Sequence, residues 1–245
     1  MAEAMGYQPC PFEKLFMKPS LILFSLLTLG LLIWGFHQAM FVAPTEATMG
    51  DIQRIFYYHV PSAFAAFACF FVNLAASLIY LKTRSPRMDA LALASAQVGV
   101  VFCTIVLITG PLWARPVWGI WWTWEDVRLT STLLLWLIYV SYLLLRRFSH
   151  ASSMPILAAV LAIFGSVDTG FVYMSIRWFR TQHPQPVLAG GPGSGLDPAM
   201  LHAFFINLIA FSAFGALLVW VRYMLERQQQ RVEELHAHAA VGGAR

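Results

Sequence analysis

The sequence predicts an all-α polytopic membrane protein with six transmembrane helices, and three observations carry that prediction. Hydrophobic residues make up 59% of the 245 and charged residues 11%, against about 25% charged in a soluble domain; mean hydropathy is +0.65. Six apolar stretches stand out, about Leu21–Ala43, Val60–Leu81, Ala90–Leu112, Leu129–Leu145, Pro155–Ile176 and Ala199–Val221, each near the roughly 20 residues that cross a hydrocarbon core. None alternates apolar with polar residues, which excludes the transmembrane β-barrel, the other architecture that satisfies its own backbone in lipid.

The first stretch follows Lys14 and Lys18 and exceeds the roughly 7–15-residue core of a signal peptide, so it is expected to stay as a helix. The second is expected to start at His59–Pro61, since proline is tolerated in a first turn. Between the fifth and sixth stretches, Pro184, Pro186, Gly190, Gly191, Pro192, Gly193, Gly195 and Pro198 forbid a long helix and describe a loop with fixed bends. The run ERQQQRVEE within the polar tail 222–245 reads as a solvated helix. The whole chain, 1–245, reads as a single six-helix membrane domain.

Orientation follows from the cations in alternate loops. One side holds Lys14, Lys18, Lys82, Arg84, Arg87, Arg146, Arg147, Arg222, Arg227, Arg231 and Arg245; the other holds only Arg54, Arg115, Arg128, Arg177 and Arg180. The cation-rich side is expected to be cytoplasmic, with both termini there. The net charge of +4 then reflects topology, and no nucleic-acid footprint is read in it. The outer side receives the longer loops, about 44–59 and 177–198, and a tryptophan-rich external segment, 113–131, between helices 3 and 4.

Five of the nine tryptophans (Trp113, Trp118, Trp121, Trp122, Trp124) fall in that segment, followed at once by Glu125, Asp126 and Arg128. An indole is a rigid plane with one N–H donor, suited to membrane interfaces and to flat ligands. An interfacial belt spreads its aromatics over many helix ends, whereas these are concentrated in one place. If the segment is helical, Trp118, Trp121, Trp122 and Glu125 fall at i, i+3, i+4 and i+7, on one face that would hold a large planar molecule.

Two histidines belong to the same side: His59 at the membrane edge beside Tyr57 and Tyr58, and His183 in the third outer loop near Arg177, Trp178 and Arg180. Each alone is a weak signal, because a histidine at a helix end is more often a cap than a ligand. Convergence of both with the tryptophans from three separate loops is what an aromatic belt does not explain. His37 and His202, near the outer ends of the first and last stretches, are weaker candidates. Cys69 and Cys103 lie in apolar stretches and Cys10 stands alone; there is no C-x-x-C pair and no C-x-x-C-H for covalent haem attachment. The His236–His238 pair in the tail does not close a metal coordination sphere.

The run WGIWWTWEDVRLTS, with its flanks IFYYHVPSAF, TGPLWARPVWG and IRWFRTQHPQPV, resembles the WWD-domain haem-handling proteins of cytochrome c maturation. Within them it is most similar to the six-helix CcmC (haem exporter protein C) family, from about Phe41 to Met200. The resemblance implies a protein of the bacterial inner membrane that binds haem b non-covalently, as cargo, and presents it at the periplasmic face. It also implies His59 and His183 as axial ligands of the haem iron, the tryptophan segment as the porphyrin platform, and no bond-making catalysis. The implied receiver is the periplasmic haem chaperone CcmE, with CcmA, CcmB and CcmD as associates in an ABC-type complex.

Elementary chemistry agrees with those implications. Haem needs apolar faces, axial ligands and cations for its propionates; Arg54, Arg128, Arg177 and Arg180 are candidates for the last through bidentate pairing. The chain has no GxxxxGK[ST] motif, so ATP energy would come from another subunit. One departure from the family pattern is that Glu125 and Asp126 stand where one acidic residue is usual. Counted from the tryptophans the acidic position is Glu125, counted back from Arg128 it is Asp126, and the helical-face argument favours Glu125. Two rival readings are a haem-translocating permease, disfavoured by the sparse charge inside the six stretches, and a membrane b-type cytochrome with haem held by His37 and His202.

Overall fold

A computed structural model describes residues 18–149, 153–179, 181–183 and 195–242. Its helices are α1 (Pro19–His37), α2 (Phe56–Thr83), α3 (Pro86–Trp118), α4 (Val127–Phe148), α5 (Met154–Trp178) and α6 (Pro198–Gly242). A π-helical turn, Gln38–Val42, extends α1, and a 3-10 turn, Asp51–Ile55, leads into α2. All six helices are long and apolar enough to cross a membrane, and among the described residues the only β pairing is an isolated bridge between Glu46 and Gly50. The protein is a multi-pass, all-helical membrane protein.

The helix starts follow local chemistry. Proline occupies the first or second position of α1, α3 and α5, where its missing N–H costs nothing and its fixed φ suits a helix. At the start of α6 the Asp197 carboxylate accepts from Ala199 N at 2.8 Å. The expected start of the second helix at His59–Pro61 is corrected: α2 begins at Phe56, so Pro61 is an interior residue of its first turns. The 3-10 turn ahead of it extends the helical path upstream and shifts the boundary. The polar tail continues α6 as one helix through Gly242.

Helices α2 and α3 form the central antiparallel pair. On one side α5 packs on α2 and α4 packs on α5 and α3; on the other α6 packs on both central helices and carries α1. In the first half Phe70 of α2 stacks on Tyr139 of α4, ring centroids 3.8 Å apart and 13° from parallel. Two glycines permit this. A Cβ on Gly99 would stand 2.5 Å from the Phe70 ring, and one on Gly165 would stand 3.0 Å from Tyr139. Helix backbones therefore form the walls against which the aromatic pair closes, at crystal-like density. Helix α1 turns Leu23, Leu26, Leu27 and Ile33 outward, as a lipid-facing helix does.

The end of the bundle away from the tryptophans is closed by charge. Arg146 of α4 donates to both carboxylate oxygens of Asp89 in α3, at 2.6 and 2.7 Å, and their side chains are only 7% and 12% exposed. Beside them Arg222 of α6 donates to Gln97 of α3 at 2.8 Å.

Candidate functional site

The site is built around a chain break between two helices. Gly119 adopts φ 78°, a left-handed conformation that glycine takes without penalty, and caps α3 by donating to the Arg115 carbonyl. Eight residues later α4 starts, with Asp126 as its N-cap: one carboxylate oxygen accepts from the backbone N–H of Arg128 at 3.0 Å and of Leu129 at 3.1 Å. An acidic residue there satisfies orphan donors and complements the helix dipole. The stretch from Gly119 to Asp126 is therefore a loop.

That overturns the helical-face expectation. Trp118, Trp121, Trp122 and Glu125 do not share a face, because the left-handed glycine ends the helix one residue after Trp118. The tryptophans form edge-to-face pairs instead. Trp113 and Trp118 lie 5.0 Å apart at 84°, both on the last turns of α3, and Trp122 and Trp124 lie 5.7 Å apart at 69°, both on the loop. Trp121 is 56% exposed and Trp124 70% exposed.

The cap separates the positions of the two acidic residues. Glu125 is exposed, while Asp126 is 3% exposed and points inward. Its second oxygen accepts from Gln182 N at 2.9 Å, and His183 Nδ1 lies 3.6 Å from the first. The carboxylate thus ties Gln182, just beyond α5, to the start of α4. Burial alone would raise the Asp126 carboxyl, but the His183 imidazole and the backbone N–H groups of Leu129 and Gln182 outweigh it and hold the group at about 2. Asp126, the acidic residue reached by counting back from Arg128, is the one turned into the bundle.

His183 is brought against the tryptophans, its ring 5.3 Å from that of Trp118 at 74°. It also shares a cavity with His59, although the two are far apart in sequence. The cavity, of about 50 Å³, lies among α2, α3, α4 and α5; His59, Trp122, Arg128 and His183 line it, with Cys103 and Val172 in its apolar wall. Trp122 and Leu107 also line a second, shallower groove of about 270 Å³ together with Trp124 and Leu133, so Trp122 stands between the two. Among the described residues Trp122 Nε1 and His183 Nδ1 are buried without a hydrogen-bond partner, a cost unless something else satisfies them.

The arginine candidates separate. Arg128 lines the cavity. Arg54 is committed elsewhere: its guanidinium donates to Ala39 O at 2.6 Å, Ala43 O at 3.3 Å, Thr45 Oγ1 at 3.2 Å and Asp51 Oδ1 at 3.0 Å, closing the carbonyls left by the end of α1. Arg177 is exposed, over the Tyr173 ring at 5.0 Å, and Arg180 lies outside the described residues. His37 and His202 are exposed on the α1–α6 flank, His37 against Phe41 and His202 against Trp34; neither lines the cavity.

Sequence reasoning missed Thr109, whose hydroxyl lies 2.8 Å from His59 Nδ1. It also missed the capping role of Asp126, which an acidic residue just before an apolar run could have signalled.

Comparison with known proteins gives this arrangement a family. The model of the family described as CcmC, heme exporter protein C, matches residues 7–238. The chain belongs to the heme exporter protein C family. It is 35% identical over 210 residues to heme exporter protein C of Bradyrhizobium diazoefficiens, covering 85% of this chain and 79% of that one. It is 31% identical over 209 residues to that of Escherichia coli K12, with 83% and 82% covered. A ccmC-like mitochondrial protein of Marchantia polymorpha, named for cytochrome c biosynthesis, is 29% identical over 193 residues, with 79% and 80% covered.

Proposed function

We propose that this family member binds haem b as non-covalent cargo at the tryptophan-bearing end of the bundle and presents it to a periplasmic haem chaperone of the CcmE kind for cytochrome c maturation. In this reading the protein sits in the bacterial inner membrane with both termini cytoplasmic, as the cation distribution favours, and works beside CcmA, CcmB and CcmD. His59 and His183 are the axial ligands, Arg128 the propionate partner, and Trp118 and Trp122 the apolar faces.

The observation that carries the reading is the meeting of His59 and His183, from distant elements, on the wall of one cavity with Arg128 and Trp122. Imidazoles, a cation and indoles are the donor set that haem requires. A cavity of about 50 Å³ is far smaller than a porphyrin, so its walls part to admit one. On the His183 side the wall is held by one hydrogen bond, from Gln182 N to Asp126 at 2.9 Å, with His183 Nδ1 3.6 Å from the same carboxylate. A site that opens at the surface gives up its ligand to a partner, which suits hand-over better than permanent residence.

Absorption spectroscopy of purified protein tests this. His59→Ala or His183→Ala should each convert a low-spin, six-coordinate haem spectrum to a high-spin or haem-depleted one. An unchanged low-spin spectrum in the double variant would overturn the assignment.

A further inference from the structure

The surroundings of His59 contain a proton count that fixes more than its position. Thr109 Oγ1, in α3, lies 2.7 Å from the Ile105 carbonyl oxygen one turn back and 2.8 Å from His59 Nδ1 in α2. Two oxygens 2.7 Å apart need a proton between them, and the carbonyl has none to give. The single hydroxyl proton of Thr109 therefore goes to Ile105, and the hydroxyl can only accept from the imidazole. His59 must then carry its proton on Nδ1, leaving the lone pair on Nε2.

The same helix contains a reference for this geometry with no ambiguity about the donor. Thr104 Oγ1 lies 2.7 Å from the Val100 carbonyl and receives the Trp136 indole N–H of α4 at 2.8 Å. An indole nitrogen only donates. The Thr104 and Thr109 arrangements match in both distances within 0.1 Å, so the His59 ring takes the place of a donor. The next residue, Gly110, presents bare backbone to the ring: a Cβ there would touch His59 Cε1 at 3.4 Å. The imidazole is held by a hydroxyl at one nitrogen and lies along the helix at its edge.

We infer that Thr109 is a positioning residue that sets the tautomer of His59, so that Nε2 is the atom offered to iron; this rests on the reading of His59 as an axial ligand. Metal-ligating histidines characteristically donate their other ring N–H to a fixed acceptor, and loss of such a partner costs roughly 10–100-fold in affinity. The two ligands are also inequivalent. The acceptor behind His59 is a neutral hydroxyl, whereas the group nearest His183 Nδ1 is the Asp126 carboxylate at 3.6 Å.

The test uses the full-length protein in two arms. In the first, ¹⁵N-histidine NMR of haem-free protein, with the His59 signals assigned by their loss in His59→Gln, should show Nδ1–H and an unprotonated Nε2. Thr109→Val should shift His59 toward the other tautomer and Thr109→Ser should leave it unchanged. An Nε2–H tautomer in the unaltered protein, or no change in Thr109→Val, would overturn the inference whatever haem does. In the second arm, haem titration should show retention falling about 10-fold or more in Thr109→Val, with a smaller low-spin band, and near-normal binding in Thr109→Ser. Full retention in Thr109→Val while His59→Ala loses haem would also overturn it. Full retention in both would instead overturn the ligand reading on which it stands and leave the tautomer result intact.

Discussion

The two ends of this bundle each bury one carboxylate, and they satisfy it in opposite ways. At one end Asp89 is matched oxygen for nitrogen by the two terminal nitrogens of Arg146 at 2.6 and 2.7 Å, a bidentate pair that satisfies the whole carboxylate. At the other Asp126 is held by three backbone N–H groups and approached by an imidazole. The neighbouring cation, Arg128, lines a cavity instead of pairing with it. A carboxylate neutralised by arginine closes an interface. One that binds backbone and lies beside a histidine leaves the neighbouring cation free to face a cavity.

The sharpest way to break that comparison is at the closed end. Arg146→Ala would strand a buried Asp89 carboxylate, and removing one member of a buried pair costs about 3–5 kcal/mol. Thermal unfolding in detergent should therefore show a large loss for Arg146→Ala and for Asp89→Ala. The double change Asp89→Leu, Arg146→Leu should recover much of it, since no unpaired charge remains. Haem bound per folded molecule should be unaltered. Near-normal stability in both single variants would mean that the pair is not what closes this end.

Next in size is a contrast among the arginines. Arg128 faces the cavity, while Arg54 is consumed by the carbonyls at the end of α1 and by Asp51. A hydrogen bond involving a charged group contributes about 1.5–3 kcal/mol, so Arg128→Gln should weaken haem retention by roughly 10–100-fold. Arg54→Gln should lower stability and leave retention near normal. Haem titration of the two purified variants decides it; equal losses would return Arg54 to the site.

Much of this was legible in the sequence, and the boundary has physical reasons. The six apolar stretches became six helices because hydrophobic length is a local property that lipid enforces. The pairing of His59 with His183 was readable only as a shared side of the membrane, and the fold converts that into a shared cavity. The tryptophan segment defeated periodicity, because a 3.6-residue pattern presupposes a helix and Gly119 ends it. Capping chemistry was the better guide there, since Asp126 standing before an apolar run is a start signal independent of the face argument. The Asp89–Arg146 pair and the Thr109–His59 contact were out of reach, being long-range pairings of residues that look unremarkable one at a time.

The last and smallest effect concerns the two adjacent acids, and it can be read with pH alone. Asp126 titrates at about 2 in the folded protein against an ordinary 3.8, so its ionised form stabilises the fold. A carboxyl depressed in this way contributes fully above about 4, and the contribution is lost as pH falls from about 4 to about 2. The depression corresponds to about 2 kcal/mol. Unfolding measured across that range should show a loss of this order that Asp126→Asn abolishes. Asparagine caps a helix as well as aspartate does, so the start of α4 should survive the change, while the negative charge beside His183 is lost. Haem delivered to the chaperone at equal protein level should fall in Asp126→Asn and stay near normal in Glu125→Gln, because Glu125 is exposed on the loop. The reverse order would mean that Glu125 works on the partner side of the hand-over, where the chaperone and not the bundle supplies its contact.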